Sequence, residues 1–276
     1  MLQTLTRAGR VLDLFTPECH EWGVTAVARE LGIAKSQAHE LMASLCEIGL
    51  LHRERGRYRL GWRVVALHSL LWSTSDVGQA ATRVMRTLAT RCGETVQLAV
   101  WSGTSAVCVA GSEGRRDRAV SIVPAGMGLP VHCTGPGKVL LASRPSGEIA
   151  ALLAEERLER MTERTIATGA SLRAELAGVR RRGFAYDDQE HAPGTCSVAA
   201  PIVHANGEVL AALSMSVPAQ RWDACRDAYT RVTVASACHI ARSVANGRAA
   251  LEEEPETREP RSAATRAALP HPGLGG

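Results

Sequence analysis

Between Leu5 and Leu60 the apolar residues fall on three short helical stripes and then on two short strand-like runs, a pattern that restricts the fold more than any other in the 276 residues. Leu5, Ala8, Val11, Leu12 and Phe15 recur at three- and four-residue spacing, and Pro17 closes that helix. Thr25 is the expected cap of a second helix, filled by Ala26, Val27, Ala28 and Leu31 and ended by Gly32. Ala38, Leu41, Met42 and Leu45 form the buried face of a third, which turns Ser36, Glu40, Ala43 and Glu47 outward with Gln37, His39 and Ser44 at the margins. Gly49 ends it. Leu50 to Arg53 and Arg57 to Leu60 then read as two strands around the turn Glu54-Arg55-Gly56. Three compact helices closed by a hairpin predict a winged helix-turn-helix over residues 1–61.

The next segment, 62–75, predicts a helix bearing Val64, Val65, Leu67, Leu70, Leu71 and Trp72, too apolar to stand alone in water and expected to pack against a second copy. Strands and helices alternate from there to about residue 250. Val96, Leu98 and Val100 alternate with polar neighbours, and 107–110 and 120–123 are further strand candidates. Gly135 to Ala142 opens a helix, and Ser171 to Arg182 forms another with Leu172, Leu176 and Val179 inward. Ser197 to Val203 and Glu208 to Val217 are strands joined at Asn206-Gly207, and a last helix runs from about Trp222 to Asn246. The fold class is α+β: the winged head, a linker helix over 62–75, and a second domain over 76–250. The tail 251–276, rich in Pro, Gly and charge, is expected to be disordered.

Composition narrows the function. At 45% hydrophobic and 22% charged residues the bulk of the chain is globular. Its longest apolar stretch, Val64 to Trp72, is interrupted by His68 and Ser69 and falls well short of the ~20 residues of a membrane span. Arg7 and Arg10 sit inside the first apolar stripe rather than ahead of an apolar core, so a cytoplasmic location is the expectation. The eight cysteines are scattered with no CxxC or zinc-type spacing, and neither metal nor cofactor is implied. A net charge of +4 is too mild to establish nucleic-acid binding by itself.

The arrangement of charge says more. Arg53, Arg55, Arg57, Arg59 and Arg63 fall within eleven residues with only Glu54 opposing. If odd positions share one face of the ribbon, the guanidiniums form a rake that meets phosphates along a groove; the alternative is an edge strand protected by charge. The third helix opens with Lys35, Ser36 and Gln37, whose amides and short side chains suit phosphate and base contact. Gln37 could bond an adenine edge, and His39 or Glu40 the next base, with a carboxylate able to accept from cytosine. A helix-turn-helix serving only protein contacts is the competing reading.

Two enzyme readings fail or lack support. Thr134-Gly135-Pro136-Gly137-Lys138-Val139 resembles a phosphate loop, but His132 stands where its first Gly belongs and Val139 where Ser or Thr should follow Lys. A Cys133 or Cys196 nucleophile paired with His132 or His191 has no spacing to recommend it. A ligand site is more economical: Gly135 and Gly137 at a helix start would admit an anion, and Asp187-Asp188-Gln189-Glu190, Gly194-Thr195, Ser214 and Ser216 supply donors and acceptors. Against it, the two serines could simply alternate within a half-buried strand.

From about Leu5 to Ala245 the chain resembles the IclR family of bacterial transcriptional regulators. The likeness runs through VTAVARELGIAKSQAHELMASLCEIGLL and GRYRLGWRVVAL, then GETVQLAVW, LPVHCTGPGKVLLAS, ELAGVRRRGFAYDDQEHAPG and VAAPIVHANGEVLAALSMSVP. It implies a winged head on promoter DNA, a dimerising linker helix, and an α/β effector domain of the GAF/PAS type with a mainly antiparallel sheet. Homodimers or dimers of dimers would then repress or activate a catabolic or metabolic operon under a small organic acid, expected to be a carboxylate, or an aromatic effector. Carried over by position, the effector pocket comprises Leu129, Gly135, Pro136, Asp187, Ser197, Ser214 and Ser216, with Val120, Ile122 and Met127 as apolar lining. Two positions depart from the family pattern. Ser197 stands where many relatives carry Cys, with Cys196 one place earlier and facing the other way, and Glu40 stands where Arg is common. An enzyme with a DNA-binding regulatory head is the alternative function.

Overall fold

The computed structural model describes residues 2–16, 18–114, 123–155 and 158–252. Two compact units divide the chain between Arg83 and Val84. The first contains α1 (Gln3–Asp13), α2 (Val24–Leu31), α3 (Lys35–Glu47), β1 (Leu51–Glu54), β2 (Arg57–Leu60), α4 (Arg63–Thr74) and the start of α5 (Asp76–Cys92). Its core is Val11, Val27, Leu31, Ala38, Met42, Leu45, Leu51 and Tyr58, so the third helical stripe packs as its spacing requires. Leu5 instead lies exposed, because α1 extends past the small core and buries only Val11 fully. Thr25 is not the cap of α2: extended Gly23 holds that position and Thr25 falls in the first turn. Gly32 ends α2 at φ 66°, a left-handed conformation that its missing Cβ tolerates. Pro17, the expected end of the first helix, lies outside the described residues.

Trp22 pairs with Tyr58 in both directions, Trp22 N to Tyr58 O at 2.9 Å and Tyr58 N to Trp22 O at 2.8 Å, which lays the segment before α2 along β2. The ribbon β1–β2 turns over only two residues, Arg55 at φ 50° and Gly56 at φ 79°. Helix α4 buries none of its residues within the chain; the adjoining Trp62 is 86% exposed and Leu71 69%.

The second unit is a six-stranded antiparallel sheet in the order β5-β4-β3-β8-β7-β6. Its strands are β3 (Thr95–Ser102), β4 (Ser105–Ser112), β5 (Gly128–Leu129), β6 (Ala185–Asp188), β7 (Thr195–Val203) and β8 (Val209–Pro218). Helices α6 (Gly135–Ala142), α7 (Ser146–Glu155), α8 (Gly169–Arg182) and α9 (Ala219–Glu252) accompany it, α9 starting ahead of Trp222 and running past Asn246. Leu172, Leu176 and Val179 of α8 pack with Val139, Leu140 and Leu141 of α6 over one face of the sheet. Val96, Leu98, Val198, Leu213, Met215 and Val217 are buried on the other face, and α9 packs on β7 and β8. At the edge of α9, buried Glu94 accepts from Arg221 Nε and Nη2, each at 2.9 Å, and from Tyr229 Oη at 2.9 Å. Because both faces are covered, Thr95 and Gln97 are buried between the apolar residues of β3 rather than turned to water. Residues 120–122 of the expected strand and the tail from 253 on lie outside the described residues, Val123 belongs to no strand, and Leu251 and Glu252 end α9. No described helix is long and apolar enough to cross a membrane.

Candidate functional site

On the first unit, Lys35, Ser36, Gln37, His39 and Glu40 are all exposed on α3. Ala34 precedes the helix in an extended conformation, and no side chain caps the first-turn amides. A helix start with uncapped N–H groups and short polar side chains can take a phosphate oxygen and present Gln37 to a base edge.

The expected arginine rake does not form. Strand partners share a face, and β1 pairs Arg53 with Tyr58, His52 with Arg59 and Glu54 with Arg57. A two-residue turn joins odd positions of β1 to even positions of β2, so Arg53 lies opposite Arg57 and Arg59 across the ribbon. The Arg53 guanidinium stacks over the Tyr58 ring, 5.7 Å from its centroid. Arg59 donates from Nε and Nη2 to Glu21 Oε2 at 3.2 and 2.8 Å, and Arg57 Nε stands 3.5 Å from Glu21 Oε1. These guanidiniums hold the Glu21 carboxyl below the usual carboxylate range, the Arg59 hydrogen bond foremost. Arg63 donates to Ile48 O at 2.7 Å and closes the end of α3. Arg55 is left at the tip of the turn.

In the second unit a cavity of about 490 Å³ opens on the sheet face beneath α6. Strand register explains its polar lining. Asp187, Ser197, Ser216 and Thr95 are successive cross-strand partners in one row, and Ala185, Ala199, Ser214 and Gln97 in the next. Of the positions carried over from the family likeness, Leu129, Pro136, Asp187, Ser197, Ser214 and Ser216 line the cavity. Gly135 and Met127 are not among the lining residues, and Val120 and Ile122 lie outside the described residues. Gly135 serves packing: a Cβ there would meet Ser197 Oγ at 2.8 Å. At Gly137 a Cβ would meet Val131 Cα at 2.7 Å and Pro130 O at 2.8 Å, so close packing around α6 accounts for the missing Cβ at both positions.

Gln97, Thr134, His191 and Thr195 also line the cavity. Gln97 Nε2 donates to Val123 O at 3.0 Å, and Thr134 Oγ1 accepts from Gly137 N at 3.2 Å while donating to Pro130 O at 2.7 Å. Asp187 Oδ1 accepts from the amides of Glu190 and His191 at 2.8 and 3.3 Å, which folds the β6–β7 loop over the cavity. Lys138, 1% exposed, holds that loop from below by donating to Glu190 Oε1 at 2.5 Å. Its ammonium is thus committed to carboxylates, Glu175 being 3.7 Å away, rather than to a phosphate loop. Burial pushes Asp187 up to about 7 despite its two amide donors, and burial lowers His191. A pKa raised this far leaves a protonated form of Asp187, able to donate as well as accept, accessible near neutral pH.

The thiol readings find no support in this environment. Burial pushes Cys133 up to about 12, and burial with the Asp188 carboxylate does the same to Cys196, whose Sγ donates to Asp188 Oδ1 at 3.4 Å on the sheet face away from Ser197. A nucleophilic thiol needs the opposite shift. His132 Nε2 is engaged with Glu159 O at 2.9 Å.

A winged helix-turn-helix followed in one chain by an α/β domain with a polar cavity defines the class of ligand-responsive transcriptional regulators. Comparison with known proteins gives the family. The model described as the IclR helix-turn-helix domain matches residues 4–55, and that described as bacterial transcriptional regulator IclR C-terminal matches residues 70–251. The chain belongs to the IclR family of bacterial transcriptional regulators. It is 33% identical over 225 residues to the HTH-type transcriptional regulator XynR of Escherichia coli, covering 81% of this chain and 89% of that one. It is 27% identical over 223 residues to the transcriptional repressor IclR of Escherichia coli, covering 80% and 81%. An IclR-type structure from Silicibacter sp. superposes with a TM-score of 0.80 at 27% identity over 88% of this chain and 96% of that one. An IclR homologue from Microbacterium hydrocarbonoxydans, crystallised with 4-hydroxybenzoate, shares the fold at 24% identity, a TM-score of 0.75 and coverage of 88% and 99%.

Proposed function

We propose that the chain represses a catabolic or metabolic operon from the cytoplasm, with residues 1–61 on promoter DNA, 62–75 as a dimerising linker helix and 76–250 as the effector domain. The observation that carries this reading is the row of Asp187, Ser197 and Ser216 across three strands of a cavity on the same chain as an exposed recognition helix. Lys35, Ser36, Gln37, His39 and Glu40 address the operator, and Arg53 and Arg55 its phosphates. The effector is a small organic acid. None of the described lining residues is Lys or Arg, so its carboxylate is met by serine and threonine hydroxyls and by a shared proton at Asp187. An aromatic acid such as the 4-hydroxybenzoate held by the Microbacterium homologue has the right size and polarity. The active unit is a homodimer, also able to pair into a dimer of dimers: Trp62, Val65, Leu70 and Leu71 are exposed together, and burying each contributes roughly 1.5–3 kcal/mol. Effector binding biases the placement of the two heads to the extent that it prefers one arrangement.

The test is thermal shift of the full chain against a panel of small carboxylic and aromatic acids, with mass analysis of every stabilising compound and sedimentation of the free protein. A stabilising acid recovered intact and a dimeric chain are the expected results. A compound recovered chemically altered would replace sensing by catalysis.

A further inference from the structure

The pairing of Trp22 with Tyr58 sets Glu21 directly across from Arg59 in an antiparallel register, with Arg57 two residues along on the same face. Glu54, the strand partner of Arg57, completes the group, its Oε2 3.9 Å from Arg59 Nη1. Two guanidiniums and two carboxylates thus share one face of the wing, and their formal charges cancel. Glu21 is the member that reaches both arginines.

We propose that Glu21 is a specificity-determining residue of the wing, withholding Arg57 and Arg59 from DNA phosphates so that affinity for arbitrary sequence stays low and readout by α3 decides where the protein rests. The proposal builds on the DNA-binding reading of the head. Phosphate contacts are blind to sequence, so each one added strengthens specific and nonspecific complexes alike. Ion pairs this exposed are weak, and a phosphate can draw an arginine away. The Glu21 carboxylate is then left unpaired beside the DNA backbone, and that repulsion opposes binding to every sequence. Nothing in the local sequence announces it: Glu21 precedes α2 and is separated from Arg59 by the whole of α2, α3 and β1.

The experiment titrates the full-length protein with a random-sequence duplex at several salt concentrations, comparing wild type with Glu21→Gln. Glu148→Gln on α7, in the second unit, serves as a control of equal change in net charge. Glu21→Gln is expected to bind the random duplex roughly tenfold more tightly at ~0.1 M salt and to steepen the slope of log K against log salt by about one to two per wing. Adding Arg57→Ala and Arg59→Ala to Glu21→Gln should return both quantities to wild type or below. An unchanged or shallower slope in Glu21→Gln, or an equal gain in Glu148→Gln, overturns the proposal. A wild type that binds no duplex strikes the DNA-binding reading itself, whereas a wild type that binds normally with an inert Glu21→Gln removes only the role given to Glu21.

Discussion

The wing and the effector domain both hold carboxylates against cationic side chains, but in different media. On the wing, the side chains of Arg59 and Glu21 are 47% and 32% exposed. In the domain Lys138 is 1% exposed against Glu190 at 12%, and Glu94 is 2% exposed beneath Arg221. Water screens the first kind of pair, so the wing can lose or gain such charges with little consequence for folding. The second kind persists only while every partner is present, because an unpaired charge in a dry interior costs several kcal/mol. The fold therefore separates two properties. The exposed charges of the wing are free to vary, whereas the shape of the cavity depends on charges that are not: Lys138 and Asp187 each tie down the loop that carries His191 and Ala192.

The sharpest way to break this contrast is Lys138→Met. It leaves Glu190 buried without its cation and is expected to destabilise the chain by about 3–5 kcal/mol, read as a lower urea midpoint. Burial already raises the Glu190 pKa, so the loss should shrink at low pH, where that carboxyl takes up a proton. A midpoint unchanged at pH 7 would mean that the buried pair is no more costly to break than the exposed one.

Asp187 should show the next largest effect, with a definite sign. Its folded pKa of about 7 lies above the usual carboxylate value of 3.8. The stability it contributes is fully present below pH ~4 and is lost as pH rises towards 7, by up to about 4 kcal/mol. Asp187→Asn removes that dependence while keeping an oxygen to accept from the Glu190 and His191 amides. The variant should therefore gain stability relative to wild type on going from pH 4 to pH 8, and parallel pH profiles would refute the raised pKa.

These two regions were not equally legible in the sequence. The exposed face of α3 follows from helical periodicity, because only one side of that helix meets the core. The wing defeated the same reasoning by one residue. A three-residue turn at Glu54-Arg55-Gly56 would have put the odd arginines on one face, but Glu54 pairs with Arg57, and that shift turns β2 over relative to β1. Gln97 looked like the solvent side of a half-buried strand because alternation does not reveal that a second layer covers the polar face. Asp187, Thr195, Ser214 and Ser216 were offered as ligand donors and acceptors by the residues themselves, whereas Leu129, Pro136 and Ser197 were reached only through the family likeness. His191 and Ala192 sit on a loop where no period exists to betray a shared site.

Packing around α6 gives a smaller effect. Gly137→Ala pushes a methyl group against backbone at Val131 and Pro130 and should cost about 1–3 kcal/mol. Gly135→Ala, which meets the movable Ser197 hydroxyl first, should cost less while narrowing the cavity, so equal losses in the urea midpoint would argue against the packing role assigned to the pair.

The wing supplies the smallest effects on stability. Arg55→Ala and Arg59→Ala should both leave the urea midpoint where it is. They should part on DNA: Arg55, at the turn and outside the Glu21 group, loses a phosphate contact and lowers the salt slope by about one, whereas Arg59, already neutralised, changes it little. Equal slopes for the two variants would show that Glu21 releases Arg59 completely when DNA arrives, and the charges of the wing would then count by their number rather than by their pairing.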